Sequence, residues 1–274
     1  MTPKQQKAFF NDQGYLVVED LVSADLLAAC GAEIRRLHQL AADLAERDDP
    51  ATRCFQREPF AGDSKVDALP VLRKIEQTRD HSDLFRSLAA HPPLVAILQN
   101  LLGPDLLLFR STLMLKPAFH GSVHALHQDS AYWPMEPPRL VTVSIALTDS
   151  TRENGCFQVI PRSNEWGMQK WGDIGRPQDN AVTDRQDIDQ SGKIDVPLKA
   201  GSVLLFHSLL VHGSGPNRSP HPRHTALYAY FSPEVKYKPP GGEPSEKTFP
   251  VIAGLDGREE ITFTAEPATQ AETS

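Results

Sequence analysis

The spacing of hydrophobic residues changes near residue 105. Before that point apolar residues recur every three or four positions, which is typical of amphipathic helices. After it, short apolar runs alternate with clusters of Gly, Pro, Asn and Ser, which is typical of strands joined by turns. Helices followed by a run of strands predict an α+β, mainly β architecture. A chain of 274 residues can bury a sizeable core.

Cap residues mark the ends of the predicted helices. Thr2 precedes Pro3 at the start of the first helix, Gly14 ends it, and Ser23 caps the second. The helical segments are TPKQQKAFFNDQG, SADLLAACGAEIRRLHQLAADLAERDD, SDLFRSLAA and PPLVAILQNLLG. A short strand, YLVVEDLV, is predicted between the first two, so residues 1–104 are expected to be mostly helical.

The predicted strands follow as a group. They are DLLLFRSTLMLKP, RLVTVSIALTDS, CFQVIP, KIDVPL, SVLLFHSLLVH and HTALYAYFS. After residue 232 the chain is rich in Pro, Gly and Glu, which predicts an irregular extension with a short strand at EEITFT. We therefore expect a single domain over residues 1–274, with a helical N-terminal region over residues 1–104, a strand core over residues 105–232 and a C-terminal extension over residues 233–274.

A long polar stretch interrupts the strands. Residues 162–193 have no clear period, and a loop of that length in a compact domain is often a lid or a binding loop. Trp166 and Trp171 lie within it. These side chains either line a substrate pocket or pack the loop onto the sheets, and the sequence leaves both interpretations open.

Charge and composition narrow the range of partners. The formal net charge is −7, whereas nucleic-acid-binding domains usually carry a basic face. No apolar run reaches the roughly 18 residues of a membrane span, and the N-terminal segment lacks the apolar core of a secretory signal. Three scattered cysteines indicate reduced thiols in the cytoplasm. We expect no nucleic acid and no membrane partner; the oligomeric state stays open.

The stretch HALHQDSAYWP holds candidate metal ligands. His127 and Asp129 lie two apart in extended sequence, so their side chains are expected on the same side. An imidazole beside a carboxylate suits a first-row metal such as Fe(II). The pair alone is a weak signal, because His81 and Asp83 form another. That second pair lies at a predicted helix start, where capping explains it and residues two apart do not face each other.

A third ligand and an anion-binding residue are found in SVLLFHSLLVHGSGPNRSPHPRH. His212 ends a strand-like run, whereas His207 has the opposite parity and is expected to pack or face solvent. Arg223 follows His212 by eleven residues. We expect the intervening turn to fold the next strand back, so that Arg223 lies beside His212 and Ser214. The guanidinium fork of an arginine binds a carboxylate bidentately.

These motifs together resemble the phytanoyl-CoA dioxygenase family of Fe(II)/2-oxoglutarate-dependent enzymes. The resemblance rests on HQD and on HGSGPNRS followed by the arginine, with LMLKP and ENGCFQVIPRSN in support, and covers about residues 14–232. It implies a double-stranded β-helix (jelly-roll, cupin-like) core with N-terminal helices packed on one sheet. It also implies that Fe(II) is the cofactor and that 2-oxoglutarate and O2 are co-substrates.

The resemblance assigns roles to individual residues. The residues that match the catalytic iron ligands are His127, Asp129 and His212. Arg223 matches the residue that grips the distal carboxylate of 2-oxoglutarate, with Ser214 assisting. Lys74 matches a lysine that some members place against the co-substrate.

The pocket wall and the metal position also separate this chain from some relatives. Ser144 lies where some members have a tryptophan, so the wall of the co-substrate pocket is expected to differ. Tyr132 and Trp133 are candidates for the substrate wall. Halogenases of the family have a small residue in place of the acid, and the intact Asp129 argues against halogenation.

The expected activity is hydroxylation of an unactivated C–H bond in a small-molecule metabolite, with release of succinate and CO2. Desaturation, ring closure or epimerisation by the same site are alternatives. A jelly roll that binds a small ligand without catalysis is another, although such a protein has no need for Arg223. A zinc hydrolase is disfavoured because no glutamate is placed as a base, as it is in H-E-x-x-H.

Overall fold

The structure is a computed structural model that describes residues 1–171, 188–239 and 245–265. Within these ranges its helices are α1 (Pro3–Gln13), α2 (Ala24–Glu46), α3 (Thr78–His81), α4 (Asp83–Ala89) and α5 (Pro92–Leu102). Its strands are β1 (Tyr15–Val18), β2 (Phe55–Arg57), β3 (Lys65–Val66), β4 (Leu69–Pro70), β5 (Leu72–Glu76), β6 (Leu106–Lys116), β7 (His124–His127), β8 (Met135–Glu136), β9 (Val141–Ala146), β10 (Phe157–Val159), β11 (Ile194–Val196), β12 (Val203–His207), β13 (His212–Ser214), β14 (Arg223–Phe231), β15 (Lys236–Tyr237), β16 (Ser245–Ala253) and β17 (Glu260–Ala265).

Two antiparallel sheets form the core. The major sheet has the order β1-β12-β9-β14-β6-β16-β17, with β5 also paired to β6 and β2 to β5. The minor sheet has the order β11-β10-β13-β7. Apolar side chains of both sheets meet in one cluster, in which Leu204 and Phe206 of the major sheet pack with Phe157 and Val159 of the minor sheet. This sandwich confirms the predicted jelly-roll core.

The two faces of the major sheet are buried against different partners. In β9, Val143 and Ile145 point to the helices, whereas Thr142 and Ser144 point to the minor sheet. On the helical side the buried hydroxyls of Tyr228 and Tyr230 donate hydrogen bonds to backbone carbonyls of α4 at 2.9 and 2.7 Å. The helices therefore cover the outer face, as predicted. The inner face carries buried polar residues such as Thr142 and Ser144 beside the apolar residues that meet the minor sheet.

The helix ends agree with the predicted caps. Thr2 Oγ1 accepts from the Gln5 amide, and Gly14 ends α1 with a φ of 79°. Ser82 Oγ accepts from the Phe85 amide at 3.2 Å. This bond confirms that the sequence around His81 is a helix start rather than a metal motif.

Two expectations about the elements were wrong, and residues 50–76 hold elements that were not predicted. In that region two short 3-10 helices, Pro50–Cys54 and Pro59–Ala61, accompany β2 and β5, which add strands to the major sheet. The run SVLLFHSLLVH is two strands, β12 and β13, because the chain turns at Ser208 and crosses to the other sheet. The described part of the C-terminal extension is more regular than expected: the predicted strand at EEITFT is β17, which forms a hairpin with β16, and β16 pairs with β6.

Two further predictions concern the chain as a whole. Among the helices of the described residues, none is both long and apolar enough to cross a membrane. Cys30, Cys54 and Cys156 are buried and unpaired, as expected for reduced thiols. Much of the predicted lid, residues 172–187, lies outside the described residues.

Candidate metal centre and co-substrate pocket

Two histidines face each other across the minor sheet. His127 ends β7, His212 begins β13, and the two are direct partners in the antiparallel register. Directly opposed residues bring their side chains together, and here the ring centroids lie 4.3 Å apart. Both residues are buried, with 6% and 4% of their surface exposed. The fold therefore joins two histidines that are far apart in the sequence.

Both imidazoles are oriented by the same type of contact. His127 Nδ1 lies 2.9 Å from the carbonyl of Ala125, and His212 Nδ1 lies 3.0 Å from the carbonyl of Leu210. A carbonyl at Nδ1 favours the tautomer in which Nδ1 carries the proton and Nε2 keeps its lone pair. Burial, and then the charge of His127, lower the pKa of His212 to about 4, so His212 is neutral at pH 7.

Asp129 completes a set of three candidate ligands. Its Oδ1 lies 3.5 Å from His127 Nε2 and 3.8 Å from His212 Nε2. Burial alone would raise the pKa of Asp129, but His212, His127 and a hydrogen bond from Thr142 lower it to about 2. One ligand atom from each residue lies within 4.8 Å of the others. Two imidazoles and one ionised carboxylate grouped in this way fit Fe(II) and leave further coordination positions open.

Thr142 is a residue that the sequence interpretation missed. It lies on the inner face of β9, and its Oγ1 donates to Asp129 Oδ2 at 2.7 Å, which leaves Oδ1 directed at the histidines. The sequence interpretation gave this run only as a strand, and the partner of Thr142 depends on the arrangement of the sheets.

We expect Thr142→Val to weaken Fe(II) binding about 10- to 100-fold, because loss of a hydrogen bond to a metal ligand typically has that effect. Anaerobic Fe(II) titration measures the change. Thr248→Val is the matched control, since Thr248 is exposed on β16. Equal affinities in wild type and Thr142→Val would contradict this role for the hydroxyl.

Arg223 is buried, but it is not placed beside His212 by a hairpin. The expected hairpin is wrong: β14 pairs with β6 and β9, whereas β13 pairs with β10 and β7. Arg223 and His212 are instead bridged by the Phe157 ring, which lies 5.4 Å from the guanidinium carbon and 6.3 Å from the His212 ring. Ser214 is buried opposite Phe157 in β10.

The Arg223 guanidinium is buried and incompletely satisfied. Only 2% of the residue is exposed; one Nη donates to the carbonyl of Gly155, and Nε has no partner among the described residues. Burial lowers the pKa of Arg223 to about 10, so it remains charged at pH 7. A buried charge without a counter-ion is unfavourable, and an anionic ligand would relieve this cost.

Lys116 places a second buried cation next to Arg223. The two residues are partners in the β6–β14 register, and 5% of Lys116 is exposed. The Lys116 ammonium donates to the carbonyls of Ser122 (2.6 Å) and Gly215, and no carboxylate of the described residues forms an ion pair with it. The sequence motif LMLKP contains this lysine, but its role required the register to be known.

Lys74 lies on the same inner face, farther from Arg223. It pairs with Met114 in the β5–β6 register, and Met114 in turn pairs with Thr225. The Lys74 ammonium lies 2.5 Å from Glu76 Oε1, so it already forms an internal ion pair. Contact between Lys74 and the co-substrate stays a prediction.

The four aromatic candidates occupy different environments. The ring of Tyr132 lies 6.3 Å from that of His127, and the ring of Trp133 lies 5.0 Å from that of Phe109. Trp166 is 42% exposed. Trp171 is 2% exposed and donates from Nε1 to Gln128 Oε1 at 3.0 Å, so packing explains its position.

Comparisons with known proteins agree with this geometry. The sequence model described as "Phytanoyl-CoA dioxygenase (PhyH)" matches residues 10–225. The chain belongs to this family. Rat peroxisomal phytanoyl-CoA dioxygenase is 28% identical over 244 residues, which cover 85% of this chain and 69% of the rat protein.

Solved structures share the fold. The crystal structure of EctD from Sphingopyxis alaskensis with 2-oxoglutarate and 5-hydroxyectoine has a TM-score of 0.65 and 26% identity, covering 85% of this chain and 77% of EctD. The epimerase SnoN, in complex with Fe3+, alpha ketoglutarate and nogalamycin RO, has a TM-score of 0.66 and 24% identity, covering 98% of this chain and 96% of SnoN. This phytanoyl-CoA dioxygenase family member is an enzyme that uses iron and 2-oxoglutarate, which confirms the predicted class and cofactors.

Proposed function

We propose that this enzyme hydroxylates an unactivated C–H bond of a small-molecule metabolite. The observation that carries the proposal is the His127, Asp129 and His212 cluster, whose ligand atoms lie within 4.8 Å of one another. In this proposal the three side chains would hold Fe(II), which would supply the oxidising chemistry for the reaction of 2-oxoglutarate, O2 and the substrate. The balanced reaction converts R–H, 2-oxoglutarate and O2 into R–OH, succinate and CO2.

Arg223 and Lys116 bind the distal carboxylate of 2-oxoglutarate in this proposal, with Ser214 as a further donor. Support comes from their burial, their adjacent register positions and the unsatisfied Arg223 Nε. Neither cation forms an ion pair with a carboxylate of the described residues, and a buried dicarboxylate would supply that partner. The pair also argues against a ligand-binding jelly roll without catalysis, which needs no second anion site beside the metal.

The remaining residues position the reactants. Iron, when bound, supplies the oxidising chemistry, and the chain supplies geometry and a dry pocket. Thr142 holds Asp129 in its orientation, and the carbonyls of Ala125 and Leu210 hold the imidazoles. Phe206 packs 4.3 Å from the His212 ring and excludes water from that side.

The same proposal extends to the organisation of the chain. A single domain over residues 1–274 is supported by β16 of the C-terminal hairpin, which pairs with β6 of the core. The three buried, unpaired thiols support a reducing compartment, which we infer to be the cytoplasm. The net charge of −7 supports a small-molecule partner rather than nucleic acid.

The test is an anaerobic-to-aerobic assay with Fe(II), 2-oxoglutarate and a metabolite library, followed by succinate and by product mass. Hydroxylation adds one oxygen atom to the product. Loss of two hydrogens would instead show desaturation or ring closure, and an unchanged mass with altered stereochemistry would show epimerisation. If wild type forms no Fe(II)-dependent succinate, either with the library compounds or without substrate, the proposed oxygenase is contradicted.

A further inference from the structure

A second group of cations lies on the inner face of the major sheet, away from Arg223. Arg110 belongs to the cross-strand row Arg110–Ala229–Thr142, and Thr142 is the residue bonded to Asp129. Registered partners in a sheet point to the same face. Two strand spacings of about 4.8 Å separate the ends of this row, so the backbones of Arg110 and Thr142 are about 10 Å apart.

Lys247 reaches the same region from the C-terminal hairpin. Its ammonium lies 5.0 Å from the ring centroid of Phe109, 5.6 Å from Tyr237 and 5.5 Å from Phe249. Three aromatic faces hold a cation in a defined place. Arg110 follows Phe109 directly in β6, and burial, and then the charge of Arg110, lower the pKa of Lys247.

The charges of this group do not balance. Glu76 Oε1 accepts from both Lys74 and Arg110, at 2.5 and 2.8 Å, so two cations share one carboxylate oxygen. Across residues 1–171, 188–239 and 245–265, no carboxylate lies within ion-pairing distance of Lys247. The Arg110 side chain is 39% exposed, so a ligand can approach it. The region therefore keeps a net positive charge and stays accessible.

Unsatisfied hydroxyls line the inner face one row nearer to Arg223. Thr112 and Ser144 belong to the neighbouring row, Thr112–Leu227–Ser144, and are 3% and 1% exposed. Neither hydroxyl has a hydrogen-bond partner among the described residues. Buried polar groups are normally paired, so these two indicate that a polar ligand lies along the face.

We propose that Arg110 and Lys247 bind an anionic group of the substrate, a carboxylate or a phosphate ester, and thereby direct the carbon to be oxidised toward the metal ligands. The inference rests on the proposed oxygenase and names its substrate class. Trp133, which packs on Phe109 at 5.0 Å, forms the apolar wall beside the anion.

The experiment uses aliphatic monocarboxylic acids, their primary amides, the matching alkyl phosphate esters and the parent alcohols as probes. Each is added anaerobically to the full chain loaded with Fe(II) and 2-oxoglutarate. Perturbation of the metal-to-ligand charge-transfer band reports binding without turnover. We expect at least one acid or phosphate ester to bind about tenfold or more tightly than its amide or alcohol, because a charge-assisted contact to Arg110 is lost in the neutral probe. The series that binds more tightly, carboxylic acids or phosphate esters, identifies the anionic group of the substrate.

Two variants and a matched control locate the effect. Arg110→Gln and Lys247→Gln should each remove most of the preference for the anion while leaving the midpoint for 2-oxoglutarate unchanged. Lys236→Gln is the control, since Lys236 also lies over an aromatic ring, 5.7 Å from Phe263, but contacts neither Arg110 nor its row. It should bind the probes as wild type does.

Several results would overturn the proposal. Acids, phosphate esters and neutral probes that bind equally, or that all fail to perturb the band, would show that no anion is recognised here. If Arg110→Gln raises the 2-oxoglutarate concentration at the midpoint, Arg110 would belong to the co-substrate site and not to a substrate site. Failure of the proposed oxygenase is distinguishable from failure of this proposal, because wild type would then form no Fe(II)-dependent succinate, either with or without a probe.

Discussion

Replacing Arg223 by alanine should weaken 2-oxoglutarate binding roughly thirty- to several-thousand-fold. Truncating one partner of a buried charge pair typically costs about 2–5 kcal/mol, which at about 1.4 kcal/mol per decade gives that range. Arg223→Lys should recover only some of the affinity, because a point charge does not reproduce the guanidinium fork. Titration of 2-oxoglutarate into the anaerobic Fe(II) protein measures the midpoint.

The control for this prediction is Arg218→Ala. Arg218 lies in the loop that leads to β14, but it is exposed. It should bind 2-oxoglutarate like wild type, and Fe(II) binding should change little in either alanine variant. An unchanged midpoint in Arg223→Ala would contradict the role of Arg223 and favour a simple metal-binding jelly roll.

His212→Ala should reduce Fe(II) affinity more than about 100-fold, because losing a ligand costs more than losing a partner of a ligand. Asp129→Gly should abolish hydroxylation, and hydroxylation at the wild-type rate would show that Asp129 is not a ligand. The substitution also vacates a coordination position, and chloride binding at the metal is the second readout of that variant. Anaerobic Fe(II) titration followed by a succinate assay measures both variants.

His81→Ala is the matched control for the metal ligands. His81 belongs to the other His-x-Asp pair but lies at a helix end, where its ring packs 5.0 Å from that of Phe55. Iron binding and turnover should be unchanged in this variant. Full iron binding by His212→Ala would show that the cluster is not the metal site.

The sequence predicted the elements best where local signals decide them. Thr2, Ser23 and Ser82 cap helices as expected, because a cap depends on a few neighbouring residues. The predicted strand RLVTVSIALTDS likewise contains β9. The missed strand β16 contains Pro250, a residue that argues against a central strand. Its pairing with β6 depends on contacts that are distant in the sequence.

In the candidate site, too, features that depend on local sequence were predicted and features that depend on distant contacts were not. Spacing and residue type identified His127, Asp129, His212 and Arg223, but the local interpretation of the turn before Arg223 was wrong. A turn in a hairpin and a crossover between sheets have similar composition. The difference here lies in distant contacts: Asn217 Nδ2 donates to the carbonyl of Lys116 at 3.1 Å, which fastens the loop to the end of β6.

Residues that act through register were not predictable from the motifs. Lys116 is significant because it is the β14 partner of Arg223, and Thr142 because its hydroxyl reaches Asp129. Neither relation can be deduced from sequence spacing. The inner-face row that ends at Arg110 likewise appears once the strand order is known.

The charge-transfer band that forms when Fe(II) and 2-oxoglutarate bind together under anaerobic conditions tests the metal and co-substrate assignments most directly. We expect a saturable band in wild type with one Fe(II) per chain. The band should be lost in His212→Ala, and in Arg223→Ala the 2-oxoglutarate midpoint should shift while Fe(II) is retained. A wild-type protein without the band, or a His212→Ala variant that keeps it at the wild-type midpoint, would contradict these assignments.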